Sequence, residues 1–230
     1  MIGGRLARRR NLTPVSPPVF SPASLFRVNL VRLSLAMLLA QLAAGAVEAL
    51  SDLRLRAERR ELKAQLELAW RLYEGSPSER NASEAAHWFR QAAEQGSTEA
   101  KLNLSRILFN GDAGPADVAE ALRWVWGAAV QGLAEAQYDV SWCFREGVGM
   151  AQDLVQAASW YRRAADQGHA GARFALGLCL YQGEGIAQDI PAGVVLFRLA
   201  AEQGHPDAQY WYAVALVSGE GGLQSAESAA

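Results

Sequence analysis

Four Gln-Gly dipeptides recur at a fixed spacing of 36 residues: Gln95-Gly96, Gln131-Gly132, Gln167-Gly168 and Gln203-Gly204. Other residues keep the same register, notably Ala64, Ala100, Ala136, Ala172 and Ala208, and Gly75, Gly111, Gly147, Gly183 and Gly219. A period of roughly 20–50 residues marks stacked supersecondary units. Each such unit contacts mainly its neighbours, so length sets the number of units and not the size of one core.

Counted from the leading alanine, the units run 64–99, 100–135, 136–171 and 172–207, with a partial fifth over 208–222 and a tail over 223–230. The first half of each unit predicts a helix. Its fifth residue (Leu68, Leu104, Val140, Leu176, Tyr212) and ninth residue (Leu72, Leu108, Phe144, Leu180, Leu216) join the alanine on one helical face. The sixth residue is small (Ala69, Ser105, Ser141, Gly177, Ala213), which lets a neighbouring helix approach. The recurrent glycine then ends the helix in a left-handed turn.

The second helix opens on a capping signal. Asn81, Asp117 and Asp153 are each followed three residues later by Glu84, Glu120 or Gln156, the pattern of a reciprocal capping box. Asp189 keeps the cap, with Pro191 in the first turn. Apolar residues follow at helical spacing, including Phe89, Val125, Tyr161 and Phe197 at one repeat position and Trp88, Trp124, Trp160 and Leu196 at another. The expected fold is therefore all-α, an α/α solenoid of about four full helical hairpins and a partial fifth. Ahead of it, residues 47–63 read as a capping helix region, with Ser51 to Glu74 able to run as one long helix.

The segments 147–153 (Gly-Val-Gly-Met-Ala-Gln-Asp), 157–169 and 183–189 (Gly-Glu-Gly-Ile-Ala-Gln-Asp) resemble Sel1-like repeats, a class related to tetratricopeptide repeats. The resemblance covers about 64–222. It implies a non-catalytic scaffold or adaptor for protein–protein contact in a bacterial envelope. Some relatives are linked to cell-wall or β-lactam chemistry, which makes a hydrolase one alternative, and a mitochondrial assembly factor is another.

Residues 1–46 carry six Arg, no Lys and no acid. Arg27 and Arg32 precede an apolar stretch, Leu33 to Leu42, and Ala44-Gly45-Ala46 fits a secretory cleavage pattern. The stretch is shorter than the ~20 residues needed to span a bilayer, so no stable transmembrane span is expected in the mature chain. Residues 1–46 thus read as a removable targeting segment and the product as periplasmic or secreted; a mitochondrial presequence shares the Arg-rich, acid-free composition. From Val47 onward there are 16 basic and 24 acidic residues, an acidic body unsuited to nucleic acid. Two cysteines, Cys143 and Cys179, are too few for a disulfide framework.

No catalytic, cofactor or metal constellation is legible. His169 and His205 share one repeat position and read as turn residues, and His87 stands apart from any Cys/His cluster. The Gly-x-Gly at 147–149, 183–185 and 219–221 follows a helix and not a strand, so it is no nucleotide fingerprint. Two surfaces stand out as candidates for a protein or peptide partner. Trp126, Val130 and Leu133 replace the Arg, acid and polar residues of the other units, forming an exposed docking stripe, a locally altered core or a few scattered exposed apolar groups. On the first helices, Trp70, Arg106, Asp139, Trp142 and Glu146 form an acidic, aromatic-edged face with Glu67, Glu74, Asn110 and Gln182. That face suits a peptide bearing basic groups, or is simply solvated. Oligomeric state is open.

Overall fold

In a computed structural model, residues 50–77 and 79–220 are described; the segment 1–46, read above as a targeting segment, and the tail at 223–230 lie outside them. Every regular element among these residues is a helix. Helix α1 covers 50–58, followed by α2 (Leu62–Glu74), α3 (Ala82–Glu94), α4 (Thr98–Asn110), α5 (Val118–Val130), α6 (Ala134–Glu146), α7 (Leu154–Asp166), α8 (Ala170–Gln182), α9 (Ile190–Glu202) and α10 (Pro206–Ser218). The last nine each hold 13 residues, and consecutive helices pack on one another from α2 to α10. Even-numbered helices are the first helices of the units, odd-numbered ones the second.

The core runs along this stack as linked clusters, each spanning a unit boundary. Phe89, Ala92 and Ala93 of α3 pack with Ala69 of α2 and Leu104 and Ile107 of α4. Val125 and Ala128 pack with Val140 and Trp160, and Tyr161 and Ala164 with Leu176 and Cys179. No single hairpin could bury these faces alone, which is why the repeat must be stacked.

The caps account for the helix starts. Asn81, Asp117, Asp153 and Asp189 each accept a hydrogen bond from the backbone N–H three residues on. The reciprocal half of the expected capping box is not what these side chains make. The cap residues' own N–H groups already donate to Leu72, Leu108, Phe144 and Leu180 of the preceding helix. Glu84 and Glu120 are thereby released to accept from the indoles of Trp88 and Trp124 and to pair with Arg54 and Arg90.

The first helices are capped by the residue after Gln-Gly. Ser97 Oγ accepts from Ala100, and Nδ1 of His169 and of His205 accepts from Ala172 and Ala208. The two imidazoles stack on Tyr138 and Phe174, each pair with centroids 4.8 Å apart. Leu133 holds this position in the second unit and supplies no side-chain cap.

Two further expectations need correction. Ser51 to Glu74 is not one helix: the chain breaks at 59–61, with Arg60 in the left-handed region at φ 65°. Arg60 lies one 36-residue period before Gly96 (φ 98°), so α1 is the second helix of a degenerate earlier unit, with Leu53 and Ala57 buried in it. Gly75 does not end α2 in a left-handed turn (φ −61°, ψ −175°), unlike Gly111, Gly147, Gly183 and Gly219. The first loop lacks the second glycine, and Arg71 and Arg80 instead brace it through Glu79 and the Gly75 carbonyl. Tyr210, at the repeat position of Tyr138 and Phe174, is 66% exposed, with no described helix beyond α10 to cover it.

Candidate interaction site

The first-helix candidates share one side of the stack. Arg106, Trp142, Glu67, Glu74, Asn110, Glu146 and Gln182 are exposed, while Trp70 and Asp139 are half-buried. Side-chain bonds join successive first helices along this side. Trp70 Nε1 donates to Glu99 at 2.9 Å, and Tyr73 OH donates to Asp112 at 2.8 Å in the loop after α4. Arg106 of α4 reaches Asp139 at 3.2 Å and Glu135 at 3.5 Å on α6. Glu146 lies 3.8 Å from its neighbour Arg145.

Four of these residues, Arg106, Asn110, Asp139 and Trp142, line a cleft of about 340 Å³ between α4, α5 and α6. Phe109, Ala121, Leu122, Val125 and Tyr138 form its apolar wall, with Phe109 edge-on to Trp142 at 6.0 Å. Burial raises the Asp139 carboxyl above its ordinary range; Arg106 opposes that shift and Glu135 adds to it. Cys143 also lines the cleft, and burial pushes its thiol up to about 11, so it is no thiolate at neutral pH. Both cysteines are free and buried. The Ser105 hydroxyl is bound to the Leu102 carbonyl at 2.7 Å.

The second-helix stripe divides. Trp126 and Val130 are exposed (40% and 64%), whereas Leu133 is half-buried against the Val125–Val140 cluster. Trp126 also leans edge-on against Trp160 at 5.3 Å and Phe144 at 5.9 Å. Its place in the ladder of second helices explains this. Arg54 pairs with Glu84 and Arg90 with Glu120, each thirty residues on; thirty residues beyond Trp126 stands uncharged Gln156, and a ring contact replaces the ion pair. Trp126 does not line the 340 Å³ cleft. It borders a shallow depression with Leu122, Arg123 and Met150.

The Gly-x-Gly loops at 147–149 and 183–185 serve packing. A Cβ at Gly185 would overlap the Leu154 carbonyl at the start of α7, so the glycine admits the loop against the previous unit. Among the described residues no group of three or more His, Cys, Asp or Glu could hold a metal ion, and no helix is long and apolar enough to cross a membrane.

Helical hairpins stacked in chain order, with a 36-residue period and a side-chain face shared by successive first helices, define a helical-repeat scaffold. The Sel1 repeat model matches residues 62–97, 98–125, 134–169, 170–205 and 206–230, and the chain belongs to the Sel1 repeat family. Proteins of this family generally mediate protein–protein interaction, and their fold is typically a non-catalytic scaffold. The second match stops at Val125, so Trp126, Val130 and Leu133 fall where this chain leaves the family pattern.

The fold is similar to that of a protective antigen of uropathogenic Escherichia coli strains displaying an SLR fold, at 34% identity over 75% of this chain with a TM-score of 0.71. It is also similar to a Sel1 repeat protein from Oxalobacter formigenes, at 26% identity over 70% of this chain with a TM-score of 0.66. The match spans 37% of the first of those chains and 66% of the second. No curated protein matches this sequence.

Proposed function

We propose that this chain is a non-catalytic scaffold of the bacterial envelope that binds a protein or peptide partner on the first-helix side, around Arg106, Asp139 and Trp142. The observation that carries the reading is the cleft itself: an aromatic wall beside a half-buried, incompletely neutralised carboxylate, held by helices that pack on both flanks. Rigid elements lose little freedom on binding, so such anchors contribute strongly for their area. Export is supported by the apolar segment and cleavage pattern that end at Ala46. The non-catalytic reading is supported by the protonated Cys143 thiol and by the Ser105 hydroxyl, which is spent on a backbone carbonyl.

The test is affinity capture with the tagged full chain and its Trp142→Glu and Arg162→Glu variants. Binding should vanish with Trp142→Glu and persist with Arg162→Glu, which alters an exposed second-helix position. Equal capture by both variants would move the binding face elsewhere. Mass spectrometry of the mature N-terminus should find Val47 in the exported fraction; recovery inside mitochondria would favour the presequence alternative.

A further inference from the structure

The cleft has a cause that the repeat itself reveals. Phe89, Tyr161 and Phe197 occupy one repeat position, and all three are buried at 0–1% exposure. Each ring meets an aromatic on the first helix of its own unit: Phe89 with Trp70 at 5.4 Å, Tyr161 with Tyr138 at 5.8 Å, and Phe197 with Phe174 at 5.8 Å. Phe197 also touches Trp211 on the next first helix at 5.9 Å. A ring at this position is thus the wedge between a second helix and the first helices around it.

The second unit has Val125 there instead. Around it, Ser105, Arg106 and Phe109 of its own first helix and Tyr138, Asp139 and Trp142 of the next one enclose the open space. A volume near 340 Å³ is at the lower end of the ~300–1,000 Å³ typical of ligand pockets. Arg106 and Asp139 line the opening, and Glu135, 3.5 Å from the same guanidinium, adds a second carboxylate beside it.

We propose that the gap left by Val125 receives an aromatic side chain of a protein partner, presented next to a Lys or Arg that meets Glu135 and Asp139. The partner supplies the ring that three sister units supply from their own sequence, and Phe109, Tyr138 and Trp142 are positioned to contact it edge-on. This inference rests on the first-helix reading of the binding face and names what enters it. The raised Asp139 carboxyl agrees with it, because a second cation would relieve a carboxylate that Arg106 neutralises incompletely.

The test uses the full chain and the capped tripeptide acetyl-Lys-Trp-Lys-amide, with acetyl-Lys-Ala-Lys-amide and acetyl-Glu-Trp-Glu-amide as comparisons, followed by NMR of the Trp indole N–H groups. Lys-Trp-Lys should produce saturable shifts at Trp142, and both comparison peptides should bind at least tenfold more weakly. Val125→Phe, which restores the ring of the sister units, should abolish binding while leaving the thermal midpoint unchanged or raised. Should Val125→Phe fail to fold, Asp139→Asn decides, since it keeps the shape and should weaken Lys-Trp-Lys several-fold. No shifts in the wild type, equal binding of Lys-Ala-Lys, or binding undiminished in the variant that folds would overturn the proposal. A Val125→Phe variant that changes self-association and not peptide binding would assign the gap to a second copy, also against it. Loss of the peptide effect with partner capture intact would remove this inference and leave the scaffold reading standing.

Discussion

Gln167 donates its side-chain N–H to the buried Oε1 of Gln137 at 2.8 Å, and Gln137 in turn donates to the Ala129 carbonyl at 3.2 Å. Gln95, Gln65 and the Ala57 carbonyl repeat the arrangement. The glutamine of the Gln-Gly signature thus ties the end of a second helix to its own first helix, which is bound to the preceding second helix. Removing one partner leaves a polar group buried without its bond, which costs about 1–3 kcal/mol, whereas two matched apolar residues come closer to neutral. Gln167→Leu should therefore lower stability by about that amount, and Gln137→Leu in the same chain should restore part of it, as read from urea unfolding midpoints.

Arg60 stands in a left-handed conformation where the following units place glycine. Such a backbone costs an L-residue roughly 1–2 kcal/mol. Glycine accepts it freely but loses more entropy on folding, so Arg60→Gly should stabilise by about 0.5–1 kcal/mol. A rise in thermal midpoint checks it; a fall would mean that α1 and α2 are not held by this turn.

His169 caps α8 through Nδ1, so only an imidazole with that nitrogen unprotonated can serve. Burial lowers its pKa below the ordinary 6.5, with Arg106 contributing in the same direction and Glu135 opposing. The unfolded chain therefore takes up the proton first, and the His169 contribution, full above pH 6.5, is lost as pH falls through 6.5 toward the folded value. His169→Asn keeps a cap acceptor that does not titrate, so it should flatten the stability profile between about pH 7 and 5. An unchanged profile would place the titration elsewhere.

Trp126 joins exposure to a contact between units, and its variants should separate the two. Trp126→Arg, the residue of three sister units, should fold with a loss of about 0.5–1.5 kcal/mol from the aromatic contact. Trp126→Glu should cost more, because it places a carboxylate against Trp160 and Phe144. If Trp126→Arg abolished partner capture at full stability, the exposed stripe and not the first-helix cleft would be the binding face.

Much of this architecture was legible because the repeat supplies its own comparison. The caps at Asn81, Asp117, Asp153 and Asp189 and the glycine-terminated first helices follow from residue type and spacing. Other features depend on which neighbours converge. The break at Arg60 carries no glycine signal, since an arginine takes the conformation under the constraint of packing. Glu84 and Glu120 match a local capping pattern, yet a cross-helix backbone bond had already claimed the groups they would have reached. Val125 looks like one more apolar residue until the rings at its sister positions are seen to fill the same space. The bare substitution was visible in the sequence, but its consequence was not.

The most direct measurement of the binding face is photocrosslinking in living cells. A photoreactive amino acid placed at Asn110, which lines the cleft, should couple the full chain to one discrete protein, and the same amino acid at Arg162 on α7 should not. Coupling from Arg162 with none from Asn110 would contradict the account.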